Sequence, residues 1–435
     1  MSVFHSTRMV SALLLSAVLS ALPPLALAQS GAALTLDEAL RLAAAQSRQL
    51  VAQDAAVSAA RAMSVAAGQL PDPVLRLGID NVPANGTDAF SIAQDFMTMR
   101  RIGVMQELTR SDKRELRAQR SEQEAQREAT SRTLVLANLQ RDTALAWLDR
   151  YYAQRVQALV VEQQQEARLQ IEAADSAYRA GRGGQADVFA ARAALVALED
   201  RASQVERQIR TARAALARWI GAEAQREPAG RPDIHALRLD TQALEEELQH
   251  HPQVEVLAKQ VAVADTEARL ARANKSADWS LEVAYAKRGA NFSDMISVGV
   301  AIPLQIARAN RQDREEAAKL ALLEQARAQR EDALRAHVAE VRAMLAEWEI
   351  GRERLARYES SLIPLASQRT GAALTAYRAG TGPLFAVLEA RRDELATRTE
   401  ALQLENEIAR AWAQLNFLVP RETGPLSAAP IKEPK

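Results

Sequence analysis

Two short stretches of this sequence are nearly the same: YRAGRGGQADVFAAR over Tyr178–Arg192 and YRAGTGPLFAVLEAR over Tyr377–Arg391. Each stands inside a long helical pattern, and each places glycines directly after Tyr-Arg-Ala. These glycines are Gly181, Gly183 and Gly184 in the first stretch, and Gly380 and Gly382, followed by Pro383, in the second. A glycine just past a helix end can take the left-handed conformation that closes the helix. The repeat therefore predicts a helical hairpin in each half of a tandemly duplicated chain.

The segments around both turns are helical over unusual lengths. Lys113 to Ala180 contains neither proline nor glycine, and a helix of that length extends roughly 100 Å. Apolar residues recur at steps of three and four, as along a coiled-coil seam, in runs such as Leu195, Leu198, Ala202, Val205 and Ile209. Rods of this length do not fit a compact domain. We predict coiled-coil hairpins over 110–220 and 307–418, with the second interrupted at Pro364.

A pair of alternating segments precedes each helical hairpin, over 73–108 and 278–304. The pattern predicts four strands with one apolar and one polar or small face. A helix could cover the apolar face, but the long helices carry seams of their own. Lipid around a closed barrel is the other way to cover it. Four strands are too few to close a barrel, so several chains must contribute. We expect the apolar positions Leu281, Val283, Ile296 and Val298 to face lipid.

The N-terminus indicates export. Arg8 precedes an apolar run from Met9 to Leu22, and Ala26-Leu27-Ala28 forms a small-x-small cleavage site. This is the pattern of a secretory signal peptide over 1–28, with the mature chain starting at Gln29. Beyond it, no stretch reaches the roughly 18 apolar residues that a spanning helix needs.

Composition and motifs argue against several classes of function. The chain has 55 basic and 55 acidic residues, so no nucleic-acid partner is indicated. Without any cysteine it has neither disulfides nor thiolate metal ligands. Adjacent residues diverge on a helix, so His250-His251 do not predict a metal site. No catalytic or nucleotide-binding motif is present, and we predict neither enzymatic activity nor a cofactor.

The order of strand pair, long helical hairpin and Y-x-x-G turn, behind a signal peptide, resembles the TolC family of outer-membrane efflux proteins. The resemblance extends from LTLDEALRLA at Leu34 to AWAQLNFLVP ending at Pro420. It implies a mainly α fold with a β-barrel part. Three chains would form one twelve-stranded barrel in the outer membrane of a Gram-negative bacterium, continued by a long periplasmic α-barrel. It also implies an adaptor and an inner-membrane pump as partners.

The resemblance implies that the Y-x-x-G turns lie at the periplasmic tip and gate the duct, with acidic side chains around the entrance. Tyr178, Gly181 and Asp187 match this pattern in the first repeat, and Tyr377, Gly380 and Glu389 match it in the second. Ala386 stands where the first repeat has Asp187, and Ala190 stands where the second has Glu389. Each repeat thus keeps one acid at a different position. A carboxylate that merely stabilises a helix start is the alternative interpretation of each acid.

The resemblance divides the chain into a signal peptide (1–28), a first repeat (29–220), a linker (221–250), a second repeat (251–420) and a flexible tail (421–435). The linker and Pro364 are expected in a belt around the barrel's waist. A periplasmic coiled-coil adaptor or interaction protein is the alternative function, although an adaptor normally has a single hairpin.

The segment FMTMRRIGVMQE, Phe96 to Glu107, resembles the heavy-metal branch of the family. This favours heavy-metal cations as cargo, with organic drugs as the alternative. The methionines Met97, Met99 and Met105 could ligate soft metals, but methionine at a strand end is more often a packing residue.

Overall fold

The computed structural model describes residues 33–239 and 243–421. The predicted signal peptide (1–28) and the predicted tail from residue 422 onward lie outside the described residues. The first half contains α1 (Leu36–Gln46), α2 (Arg48–Ala67), β1 (Val74–Asp80), β2 (Met99–Leu108), α3 (Ser111–Arg179) and α4 (Gln185–Ile220). The second half contains α5 (Leu244–Gln249), α6 (Pro252–Ala273), β3 (Trp279–Lys287), β4 (Met295–Ala301), α7 (Gln312–Arg357), α8 (Ile363–Arg378) and α9 (Leu384–Asn416).

The longest element is α3, which runs for 69 residues without a break. No proline removes a backbone donor within it and no glycine loosens it, so the hydrogen-bond ladder continues over about 100 Å. Along its length α3 packs against α2, α4, α6 and α9. The helices therefore lie side by side as a layer of rods rather than around one compact centre.

The four strands form one antiparallel sheet in the order β1-β2-β3-β4. The sequence predicted four strands in two hairpins, and the pairing of β2 with β3 joins the two hairpins. Arg76 lies beside Gly103, Gly103 beside Ala284, and Ala284 beside Ser297 across the sheet. Within the described residues β1 and β4 are edge strands. Strand β4 ends at Ala301, short of the predicted Leu304, and proline at 303 has no backbone N–H to offer a neighbouring strand.

The largest buried cluster lies midway along the rods, where α1, α3, α7 and α9 meet the irregular segment 221–239. Three tryptophan indoles on the long helices donate hydrogen bonds to backbone carbonyls of the non-helical chain in this cluster. Trp147 Nε1 donates to Leu34 O at 3.0 Å, Trp348 Nε1 to Ile234 O at 3.0 Å, and Trp412 Nε1 to Ala236 O at 2.9 Å. Each indole combines buried apolar area with a satisfied donor, and together they hold Leu34 and the 221–239 segment, in which Gly221–Gln225 forms a short 3-10 helix.

The expected interruption at Pro364 is a local change of helix type. A five-residue π-helical segment, Tyr358–Leu362, joins α7 to α8, and Ile363 N–H bonds to Tyr358 O. Proline cannot donate and crowds the carbonyl four residues before it. Widening the preceding turn accommodates this proline, so the rod continues instead of ending.

The helical rods and the sheet are joined by a buried ion pair. Lys113, in the first turn of α3, has a side chain only 3% exposed. Its Nζ lies 2.7 Å from Asp278 Oδ2 and 2.6 Å from Ser276 O, just before β3. Asp278 Oδ1 also accepts from Arg110 N–H at 3.1 Å. These contacts fix the start of α3 to the start of strand β3.

Replacing Lys113→Met should destabilise this junction. The substitution keeps a similar shape but leaves the Asp278 carboxylate without its buried partner, which costs about 2–3 kcal/mol. The midpoint of urea unfolding of the purified protein measures the loss. Arg110→Gln is the control, because it breaks only the exposed ion pair with Asp112 and should leave the midpoint almost unchanged. Equal midpoints for Lys113→Met and the native protein would contradict the assignment.

Candidate functional site

Both Y-R-A-G stretches form the same helix-ending turn. In the first, Arg182 N–H donates to Ala177 O at 2.9 Å and Gly181 N–H donates to Tyr178 O at 3.0 Å. These two bonds define a Schellman motif, which requires a left-handed residue after the helix. Gly181 has φ +68°. The glycine of the motif is therefore explained by backbone conformation.

The second stretch repeats these contacts. Thr381 N–H donates to Ala376 O at 2.9 Å, Gly380 N–H donates to Tyr377 O at 3.0 Å, and Gly380 has φ +75°. Two residues later, a Cβ added at Gly382 would lie 3.0 Å from Ala376 Cβ. The turn thus needs glycine at position 380 for its left-handed conformation, and the limited space favours glycine at position 382. The prediction of glycine-closed hairpins is confirmed.

The two tips pack against each other in one apolar cluster. Its buried members come from both hairpins: Ala174, Val188, Ala191, Leu384 and Val387. The sequence repeat shows two tips but does not indicate that they touch. Their contact makes one four-helix end from two hairpins.

The matched tyrosines occupy different environments. Tyr377 is half-buried and packs on the tip cluster. Tyr178 lies outside that cluster and its side chain is 46% exposed. The duplication therefore gives two equivalent turns but packs one ring partly against the tip cluster and leaves the other exposed.

The two predicted acids also differ in position. Asp187 lies in the first turn of α4, where its Oδ2 accepts from Gly184 N–H at 2.9 Å. This is the geometry of a carboxylate that stabilises a helix start. Glu389 lies one turn into α9 and lines an elongated groove of about 650 Å³ between α4 and α9, with α3 as its floor. The structure does not bring these two acids into one contact.

The sheet separates its side chains into two faces. The apolar face contains Leu281, Val283, Ile296 and Val298, together with Leu75, Leu77, Ile79, Ile102, Val104, Tyr285 and Val300. All of these apolar residues are exposed or half-buried. No described helix packs on the sheet through an extensive contact. In a single chain this apolar face is therefore uncovered.

The opposite face carries a continuous series of ion pairs that sequence reasoning missed. Arg101 Nε lies 3.3 Å from Asp80 Oδ2, Arg101 Nη1 lies 3.8 Å from Glu282 Oε1, and Arg76 Nη1 lies 3.2 Å from Glu282 Oε2. We call Asp80, Arg101, Glu282 and Arg76 the ion-pair chain. The alternation of residues in the sequence puts each of these four side chains on the polar face of its strand. Only the order and register of the strands show that they lie next to one another.

The methionines of the Phe96–Glu107 segment do not converge. Met97 lies in the loop before β2, and Met99 and Met105 stand about 20 Å apart along the strand. Met105 Sδ accepts from Arg76 Nη2 at 3.0 Å. Across residues 33–239 and 243–421, no group of three or more His, Asp or Glu side chains is arranged to hold a metal ion.

The two adjacent histidines have separate roles. His250 is exposed, whereas His251 is buried and begins α6, with its Nδ1 accepting from Gln253 N–H at 3.2 Å. Its ring lies 4.2 Å from that of the buried His337. Burial, together with the nearby His337, lowers the pKa of His251 to about 4. His251 is therefore a neutral capping group at neutral pH.

A buried polar network connects α3, α9 and the 221–239 segment. Tyr152 Oη donates to Glu405 Oε1 at 3.2 Å, and Arg231 Nη2 lies 2.9 Å from the same oxygen. Burial, and then the Glu405 charge, raises the pKa of the Tyr152 phenol. Tyr152 is thus held as a hydrogen-bond donor at this position.

None of the helices within the described ranges has both the length and the apolar character that crossing a membrane requires.

Residues 243–419 match the family model described as Outer membrane efflux protein. No curated protein matches the sequence significantly. Three solved structures illustrate the structural similarity. The outer-membrane channel OprN has a TM-score of 0.76 at 19% identity, with 89% of this chain and 90% of that chain covered. CusC has a TM-score of 0.73 at 16% identity, with 89% and 92% covered.

The Campylobacter jejuni CmeC outer membrane channel has a TM-score of 0.74 at 13% identity, with 88% of this chain and 85% of that chain covered. At these identities the likeness shows the fold. The predicted mainly helical fold with a small antiparallel sheet is confirmed.

Gly380→Ala should destabilise the second tip. An alanine at this left-handed position costs roughly 1–2 kcal/mol in backbone strain, although no atom lies within 4 Å of the added Cβ. Gly371→Ala is the matched control, because Gly371 lies in α8 with equally open space. It should stabilise the helix by about 0.5–1 kcal/mol. Thermal unfolding followed by circular dichroism measures both changes, and shifts of the same sign would contradict the Schellman assignment.

Proposed function

We propose that this chain is an outer-membrane channel, the exit duct of a tripartite efflux system, and that it conducts its cargo passively. The observation that carries the proposal is the sheet: two free edges and an exposed apolar face, attached to rods about 100 Å long. The match of residues 243–419 to an outer-membrane efflux family and the similarity to solved channels support it.

The free edges support an assembly of several copies. Unpaired backbone groups of β1 and β4 are costly in lipid, where no water satisfies them. Pairing β4 of one copy with β1 of the next closes the sheet into a barrel without edges. Three copies, the number that the TolC resemblance implies, give twelve strands. We therefore propose a homotrimer.

The exposed apolar face supports insertion into the outer membrane. In the closed barrel this face, including Leu281, Val283, Ile296 and Val298, contacts lipid, and the polar face lines the lumen. The rods then extend from one end of the barrel into the periplasm. In this arrangement the two tips of each chain lie farthest from the membrane, where we propose that they meet an adaptor and an inner-membrane pump.

Heavy-metal cations remain the proposed cargo on the resemblance of the Phe96–Glu107 segment, with organic compounds as the alternative. The positions of Met97, Met99 and Met105 add no support, because the three sulfur atoms do not converge within one chain. A duct does not need to bind what it conducts. The pump that supplies the duct would then select the cargo.

The tips are the proposed gate. Tyr178 is exposed at the surface of its own chain, which leaves its ring and hydroxyl available to a neighbouring copy. Tyr377 instead packs within its own tip cluster. A hydrogen bond contributes only about 1 kcal/mol net, so a closure made of a few such bonds can be reversed by docking.

Arg substitutions on neighbouring residues of β4 test insertion. Val298→Arg should cost roughly 2–4 kcal/mol near the bilayer midplane and lower the yield of membrane-inserted trimer. Ser297→Arg, one residue away on the polar face, is the matched control and should insert normally. Outer-membrane fractions washed with high salt and then cross-linked give both readouts.

The proposed function would be overturned if high salt removed the native protein from the membrane, as expected for a periplasmic adaptor, or if the native protein cross-linked no further than dimers. If Ser297→Arg impaired insertion and Val298→Arg did not, only the assignment of the two faces of the sheet would be reversed.

Removing the tip hydroxyls should open the gate partly. Tyr178→Phe combined with Tyr377→Phe should raise resting conductance in planar bilayers while trimers still form. Of the single variants, Tyr178→Phe should have the larger effect because Tyr178 is the more exposed of the two residues. Tyr358→Phe, in the π-helical segment, is the control and should conduct like the native protein.

The tip acids are tested in the same recordings. Asp187→Asn with Glu389→Gln should reduce cation preference, since both amides keep their hydrogen-bonding capacity but lose the charge. The proposed gate would be contradicted if the double Phe variant conducted like the native protein and the Asp187→Asn, Glu389→Gln variant kept the native ion selectivity. The repeated stretch would then only form the turn.

A further inference from the structure

We propose that the ion-pair chain, Asp80–Arg101–Glu282–Arg76, keeps the lumen electrically balanced at the level of the sheet, so that this part of the duct discriminates against neither cations nor anions, with Glu282 as the determining residue. This inference rests on the proposed function, because the polar face lines a lumen only when copies close the sheet. It concerns a part of the molecule far from the helical tips.

The chain of charges crosses three neighbouring strands. Asp80 and Arg76 lie on β1, Arg101 on β2 and Glu282 on β3. Glu282 is the shared member: one carboxylate oxygen lies 3.2 Å from the Arg76 guanidinium, and the other lies 3.8 Å from that of Arg101. Its side chain is 23% exposed, less than either arginine. Glu282 therefore pairs with both Arg76 and Arg101, whereas Asp80, the other carboxylate of the ion-pair chain, pairs with Arg101.

Glycine at position 103 gives this arrangement its space. Gly103 lies between Arg76 and Ala284 in the register of the sheet. A Cβ added there would lie 2.8 Å from Ala284 Cβ and 3.2 Å from Val283 O. Without a side chain at this position, Arg76 on β1 can reach over β2 to Glu282 on β3.

The rest of the polar face is mainly small or uncharged, so the ion-pair chain supplies most of its charge. The other positions are Val74, Gly78, Met99, Gly103, Met105, Glu107, Ser280, Ala284, Ala286, Met295, Ser297, Gly299 and Ala301. Glu107 is the further charged side chain among them, and it stands near the helical end of β2. At the middle of the sheet, fixed charge comes from the ion-pair chain.

The balance of this charge determines what the lumen favours. Two guanidinium groups oppose two carboxylates, so the native ion-pair chain has no net charge and should attract neither ion class. A cation preference of the native duct would then come from charges outside the ion-pair chain, such as Glu107 or the tip acids. Loss of the Glu282 charge leaves one uncompensated positive charge per copy, and the low-dielectric wall of a barrel concentrates the field of such charges in the lumen.

Glu282→Gln should therefore shift the duct toward anions. We expect the potassium-to-chloride permeability ratio, measured from reversal potentials across a potassium chloride gradient, to fall about twofold or more. Arg76→Gln should shift the ratio in the opposite direction. Glu282→Asp is the matched control, because it keeps the charge and should keep the native ratio. Only channels from cross-linked trimers are compared.

Opposite shifts for Glu282→Gln and Arg76→Gln, with Glu282→Asp unchanged, support the inference. Native ratios in both charge variants would overturn it while the proposed function stands, since the variants would still conduct. Failure of both variants to form trimers would also overturn it, because the ion-pair chain would then serve folding. Failure of the native protein to form channels overturns the proposed function, and this inference with it.

Discussion

A four-stranded sheet with two open edges and one uncovered apolar face is the constraint on which the rest of this molecule depends. Backbone donors along β1 and β4 need partners, and the apolar side chains need a surface that excludes water. The rods cannot provide that surface, because they pack on one another and leave the sheet projecting beyond them. A single chain is therefore physically incomplete at this end. The proposed closure by further copies within lipid would satisfy both requirements together.

The helical part consists of long rods without one compact core, and it must be held together by contacts at a few levels along the rods. Aromatic residues make up only 4% of the chain, and the tryptophans at 147, 348 and 412 gather at the waist. Their indoles fix irregular backbone between the rods, while alanines elsewhere allow the helices to approach closely. The buried Tyr152–Glu405 contact joins the same region. The largest fully buried apolar side chains thus lie at one level of the rods, and the tips depend on a small cluster.

The tips show how a duplicated sequence can acquire two environments. Both turns use the same backbone hydrogen bonds, since these depend on local residues and on one left-handed glycine. The surroundings differ because each hairpin meets a different neighbour, so Tyr377 becomes a packing residue and Tyr178 a surface residue. The acids diverge in the same way: Asp187 caps its helix, and Glu389 lines a groove. Internal symmetry of sequence therefore does not imply equal roles.

The sequence by itself determined the features that rest on short-range physics. Long helices follow from the absence of helix breakers, the hairpin turns from glycine after Tyr-Arg-Ala, and the strands from alternation with a period of two. Neither the single sheet nor the contact between the two tips could be predicted from local pattern, because pairing of β2 with β3 joins residues 171 to 187 positions apart. For the same reason Arg76 and Glu282 were only two polar residues in separate patterns. The continuation through Pro364 was not apparent either, because proline commonly breaks or kinks a helix and the π-helical turn that accommodates it is seen only in the structure. Local periodicity fixes which elements form and which way their side chains alternate, whereas only tertiary structure decides which distant side chains meet.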